Sequence, residues 1–304
     1  MKFLLHTLVG LSLLAGSAWA QMGPGGSHGP GLGDMTGHAG RPLEHNLVLP
    51  QLAIGPDITI SIVLLNWGNT QRMPWATAES LKTTGRVLFF DSSGNPLTVR
   101  VNDSANQSEH PFTLEASQMV RLNLTSPDSN TKVGWALIEV DEPISQQTSW
   151  GMMGNHPIMR GEKLSASAVF SVRQGAQLRS QAGVIPSMFE RSQFVNSVMP
   201  ASADANGETG VAIVNTSAKT VDIQLTLKNA DGTTAGQTVV GLAAGNQTAK
   251  FIRELFGNQV PASFDGYMEV TSTGEGTVTM AIMVSQGVLT AIPTHHTGAM
   301  RQGM

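Results

Sequence analysis

The feature that most constrains the fold is an internal repeat of two β-patterned halves. Leu64-Leu65-Asn66 recurs as Ile213-Val214-Asn215, 149 residues later. The run Arg86 to Gly94 (RVLFFDSSG) recurs as Gln224 to Gly232 (QLTLKNADG), 138 later. Ser171-Val172-Arg173-Gln174-Gly175 matches Met283-Val284-Ser285-Gln286-Gly287, 112 later, and each half closes on Ile-Pro, at Ile185-Pro186 and Ile292-Pro293. A falling offset means that the first copy carries loops the second lacks. On a shared scaffold, such loops are where individual behaviour resides.

Strand signals fill both halves. Ile58, Ile60, Ile62 and Leu64 alternate with Thr59, Ser61 and Val63, which reads as a strand ending in a turn at Asn66-Trp67-Gly68-Asn69. Val87 to Phe90 is a second strand, and Asp91 to Pro96 turns it into Leu97 to Val101. Further strands are expected at Gln118 to Leu124, Trp135 to Val140, Ser167 to Val172 and Val278 to Val284. Val221, Ile223, Leu225 and Leu227 face one way while Asp222, Gln224, Thr226 and Lys228 face the other, the mark of an antiparallel sheet with one wet face. Phe251 to Phe256 is the one stretch that reads as helical, ended by Gly257. The fold class is therefore all-β: two tandem antiparallel β-sandwiches, Ig-like in general architecture, at 45–190 and 191–296. A Gly/His/Met-rich tail at 21–44, which cannot bury enough surface to order itself, precedes them, and a short tail at 297–304 follows.

The first twenty residues read as a secretory signal peptide. Lys2 gives a positive start, Phe3 to Leu14 an apolar run, and Ala18-Trp19-Ala20 a small-x-small cleavage site. The apolar run is too short for a comfortable membrane span. Export to the periplasm or the medium is the expectation, with no span left after cleavage. An exported chain without Cys has no disulfides and must rely on buried apolar area. Charged residues make up 13% and the net charge is −4, so the basic stripe that a nucleic-acid backbone requires is missing.

Comparing the copies locates three inserts in the first: Gln71 to Lys82, Asn102 to Pro111 and Ser145 to Lys163. They carry Trp75, Trp150, Met152 and Met153, large apolar side chains that mark a contact surface for a protein or carbohydrate partner, or else cover an open sheet edge or the seam between the halves. Trp135, inside a strand and aligned near Tyr267, is assigned to the core.

Leu49-Pro50-Gln51-Leu52-Ala53, Ile58 to Asn66, Phe89-Phe90-Asp91, Gly94 to Leu97, Ala168 to Arg173 and Ala182 to Pro186 together form a recurrent pattern. Over residues 45 to 293 it resembles a tandem β-sandwich repeat of secreted, acidobacterial-type surface proteins, often found beside adhesion-like modules. The resemblance implies a structural, adhesive or recognition module and transfers no activity and no functional residues. The second copy departs from the pattern, with Ser285 in the place of Arg173.

Catalytic signatures are missing: there is no Gly-x-Ser-x-Gly elbow, His-Glu-x-x-His, phosphate-binding Gly loop or thiol. The chain reads as a non-enzyme without a cofactor. The alternative is copper. Thioether and imidazole ligands suit that metal, and they gather as His28 and His38 with Met22 and Met35, as His156 with Met152, Met153 and Met159, and as His295-His296 with Met300 and Met304, in segments expected to be mobile.

Overall fold

The computed structural model describes residues 46–68, 81–141, 164–188, 195–274 and 276–298. Strands are numbered in chain order. In the first half, one sheet runs β11 (Ser187–Met188), β1 (Leu47–Ile54), β8 (Lys132–Asp141), β3 (Thr83–Asp91), β6 (Glu109–Leu114). The facing sheet runs β10 (Gln177–Val184), β9 (Leu164–Gln174), β2 (Ile58–Asn66), β7 (Met119–Thr125), β4 (Val99–Val101), β5 (Asn106–Gln107).

The second half repeats this order strand for strand. Its first layer runs β20 (His295–Gly298), β12 (Val195–Ala203), β17 (Phe264–Ser272), β14 (Val221–Asn229), β15 (Thr234–Leu242). Its second runs β19 (Val288–Ile292), β18 (Thr277–Ser285), β13 (Gly207–Asn215), β16 (Gln247–Phe251). β12 and β13 pair only at their hairpin, Ala203 with Glu208, so these strands make two layers rather than one. Every pairing is antiparallel. Among the described strands, β4 and β5 alone have no counterpart in the second half.

The matched turns fall on matched strands. Asp91 N–H bonds to the Asn95 carbonyl and Gly94 N–H to the Asp91 carbonyl; Asn229, Thr233 and Gly232 repeat the arrangement. Gly94 and Gly232 sit at φ +80° and +84°, where a side chain is strained. Across the ladder, Asp91 pairs with Gly134 and Asn229 with Gly266. A Cβ on either glycine would fall about 2 Å from the neighbouring strand's carbonyl, at Phe90 or Lys228. The helix lies where the sequence placed it, as α1 (Ile252–Phe256) ended by Gly257 at φ +56°.

Two sequence expectations are corrected, and one is borne out with a difference of place. Leu64 pairs with Ala166 while Ile213 pairs with Thr279, so β9 and β18 correspond at an offset of 113, not 112. Val172, not Arg173, is the counterpart of Ser285. The turns differ in position: Gln174 and Gln177 close one hairpin, Ser285 and Val288 the other. Matching the Gln-Gly letters therefore slid the strands by one residue, a slip that would turn every side chain to the wrong face. His295-His296, expected in a mobile segment, open strand β20, with His296 paired to Ser197. Trp135 is fully buried, as its assignment to the core requires, though not inside its own sandwich.

Instead, Trp135 lies in the seam between the halves. Along β13, Val211 and Ile213 point into the second sandwich, while Ala212 and Val214 point at the first half. Val278 and Met280 of β18 do the same. This layer is buried on both faces, packed against Val48, Trp135 and Leu137 from β1 and β8. Trp135 stacks on Phe90 at 4.4 Å and donates its indole N–H to the Gly245 carbonyl at 3.0 Å. Gln247, itself buried, donates to the Pro50 carbonyl at 2.7 Å and accepts from the Ser92 hydroxyl at 3.1 Å, while its own backbone N–H bonds to the Ser92 carbonyl. Both Ile-Pro pairs line one groove of about 520 Å³ at this junction.

Truncating these seam residues is expected to lower global stability rather than loosen one surface. Trp135→Ala should cost roughly 3–5 kcal/mol, as for other buried aromatic truncations. Gln247→Ala, which takes its side-chain donor from the buried Pro50 carbonyl, should cost roughly 1–3 kcal/mol. Urea denaturation followed by circular dichroism measures both.

Candidate functional site

A buried asparagine organises one end of each sandwich. Asn66 closes β2 with no solvent exposure. Its side-chain amide donates to the Leu81 carbonyl at 2.6 Å and the Leu114 carbonyl at 3.1 Å, and its side-chain oxygen accepts from Gly68 N–H at 3.0 Å. Asn215 closes β13 in the same way: it donates to Lys219, Leu242 and Ala243 carbonyls and accepts from Ser217 N–H at 3.0 Å. Each amide joins the end of one strand to the last residue of a strand in the opposite sheet (β6 or β15). The hydrogen bonds of a buried amide so fully paired offset its desolvation, and they lock the two layers together.

What leaves that end differs between the copies. In the second half, the chain crosses from Asn215 to β14 through residues 216–220 and from β17 to β18 through 273–276. In the first half, the same two crossings span 67–82 and 142–163. Their roots are close together: Asn66 pairs with Leu164, Thr84 pairs with Asp141, and Leu81 is held by the Asn66 amide. The β6–β7 turn joins them, because Gln118 accepts from Asn66 N–H and Ser117 Oγ donates to the Gly68 carbonyl. Two of the three inserts thus spring from one end of the first sandwich.

The third insert has a different place. Asn102 and Asp103 adopt positive φ, the Asn102 amide bridges to Arg121 and Asn123 backbone, and Asn106–Gln107 becomes β5 on the rim of the β2 sheet. This insert extends and finishes a sheet edge, the structural role weighed for it in the sequence.

On the outer face at the insert-bearing end, Leu65 and Met119 are direct cross-strand partners and both are exposed, Met119 by 56%. Lys82 and Glu115 form an ion pair of 3.6 Å beside them, mostly in solvent and worth little to stability. Further along β3, Arg86 meets buried Glu139 at 2.6 Å and Glu109 at 3.5 Å. The Glu139 hydrogen bond holds the Arg86 guanidinium above its already high ordinary pKa. His110, half-buried beside Gln107, is pushed below the usual imidazole value by burial.

Trp75, Trp150, Met152, Met153, His156 and Met159, which the sequence marks as partner or metal candidates, lie outside the described residues, as do His28, Met35 and His38. His295 is described, exposed on β20. Among the described residues, no three His, Cys, Asp or Glu side chains stand close enough together to hold a metal ion, and no helix is long and apolar enough to cross a membrane. Asn66 was visible in the sequence only as the polar end of a repeated apolar tripeptide. Its role follows from carbonyls that are 15 and 48 residues away.

No family model matches the chain, and no curated protein does. Among solved structures, the vicilin of Solanum melongena aligns over 85% of this chain and 75% of its own, at 9% identity and a TM-score of 0.21. A likeness at that score carries no argument about function.

Replacing either asparagine with alanine takes this donor from two or three carbonyls, at least one of them buried. Asn66→Ala and Asn215→Ala should each cost roughly 2–4 kcal/mol, more than one ordinary hydrogen bond. Similar losses from the two sites, by chemical denaturation, are the expected result; a cost below about 0.5 kcal/mol at either, the size of an ordinary surface change, would contradict the assigned role.

Proposed function

We propose that this chain is an exported, non-enzymatic β-sandwich module that presents the long loops at 69–80 and 142–163 from one end of its first half to a protein or carbohydrate partner. The observation that carries the reading is the common root. Two loops that the second copy closes with short turns are both lengthened in the first, and both leave the frame around Asn66. Loops clustered at one end of a rigid sandwich are a general way of building a recognition surface. The exposed Leu65–Met119 pair beside the roots adds apolar area to it. The signal-peptide pattern of residues 1–20 supports export.

The non-enzymatic part is supported by the structural duties of two perturbed ionisable groups among the described residues. Arg86 is committed to Glu139. Glu208, raised above the usual carboxyl range by burial, accepts from Arg253 N–H at the start of α1 and so holds that helix. Neither stands free to act on a substrate.

The test removes the inserts and keeps the frame. A variant in which 69–80 and 142–163 are replaced by turns copied from 216–220 and 273–276 should retain the β-sheet circular dichroism spectrum and cooperative unfolding. Binding should be read on glycan arrays and on immobilised cell-envelope proteins. Trp75→Ala with Trp150→Ala in the full chain should weaken whatever contact the wild type makes by at least about tenfold, the effect of losing central aromatic anchors. Undiminished binding by the trimmed variant would overturn the reading. Failure of that variant to fold would make the inserts covers of the sheet edge instead.

A further inference from the structure

β15 is the outer strand of its layer, bonded to β14 on one side only. Its residues, TAGQTVVGL, include no charge and no proline. Its counterpart in the first half, β6, carries Glu109, His110 and Pro111, the residues with which natural proteins blunt a sheet edge. The second half therefore lacks, at the equivalent position, the protection that the first half has.

A single side chain supplies a substitute. Gln259, at the end of the one-turn 3₁₀ segment Gly257–Gln259 that follows α1, accepts from Gln237 N–H at 3.0 Å and donates to the Gln237 carbonyl at 3.2 Å. Its primary amide makes the two bonds that a neighbouring strand's peptide group would make. Because Gln237 directs both backbone groups away from β14, the two-residue period of a strand directs those of Val239 and Gly241 the same way. None of the described residues bonds to them, and the Val239 side chain is 63% exposed.

We propose that Gln259 acts as a surrogate strand that keeps the β15 edge from pairing with a second copy of this chain. The edge is self-complementary. In an antiparallel pairing with its twofold axis at Val239, Gln237 of one copy meets Gly241 of the other, and the two Val239 side chains meet on the outer face. Such a pairing is isologous and buries the exposed valine against itself. No charge on β15 itself opposes it. With Gln259 in place, both Gln237 positions are occupied and a single residue pair remains, far short of the five or six residues typical of a strand. Without Gln259, three consecutive outward positions become available in each copy.

The experiment is light scattering coupled to size exclusion over a wide range of concentration. Wild type should remain one chain. Gln259→Ala should dimerise, at concentrations at least about tenfold below any at which the wild type does so. Gln259→Leu, which keeps the packing volume but not the amide, should behave likewise, and it decides the matter if the alanine variant folds poorly. Adding Val239→Lys to either places like charges opposite each other at the axis and should restore the monomer. Folded variants that stay monomeric throughout would overturn the proposal, and so would a dimer indifferent to Val239→Lys.

Discussion

The structure depends on one layer being buried on both faces. β13 and β18 give alternate residues to the second sandwich and to the seam, so the halves cannot separate without exposing Val214, Val278, Trp135 and Leu137 together. Apolar contact alone would let two flat layers slide. The polar contacts prevent this: the Trp135 indole on the Gly245 carbonyl and the Gln247 amide on Pro50 fix one register between the halves. Both are buried, where an unmade hydrogen bond is costly and a displaced register would leave several unmade.

From that frame the two copies diverge only at their periphery. Each sandwich is locked by its own asparagine between β2 and β6, or between β13 and β15, and each repeats the same Gly-bearing hairpin. With the frame held twice over, chain length is free to vary where the loops leave it. The added entropy of a longer loop grows only slowly with its length, so large inserts at 69–80 and 142–163 are thermodynamically tolerable on a closed frame. The second half did not lengthen its loops, and its exposed side is instead the β15 edge that Gln259 covers.

Much of the fold was legible because half-buried strands alternate. Ile58 to Leu64 and Val221 to Leu227 show their inward residues directly, and Gly94 and Gly232 mark their turns. The seam was not legible for the same physical reason. Gly210 to Val214 (GVAIV) is apolar on both faces and has no alternation to read, and nothing local distinguishes Trp135 in a seam from Trp135 in a core. The one-residue slip at β9 and β18 arose where turn letters were stronger than strand pattern. The common root of two inserts depends on strand order, which brings Asn66, Leu81, Asp141 and Leu164 together from distant parts of the chain. Apart from His295 and His296 on β20, the residues singled out for partner contact or for metal gather in the inserts and tails, where no alternation constrains them.

The central claim is that the inserts decorate a frame that does not need them. Amide hydrogen exchange, compared between the full chain and the variant with both inserts shortened, tests it most directly. Unchanged protection is expected along β2, β3, β8 and β9, including the Asn66 amide at the root of both inserts. Loss of protection spreading from those roots into the strands would contradict it.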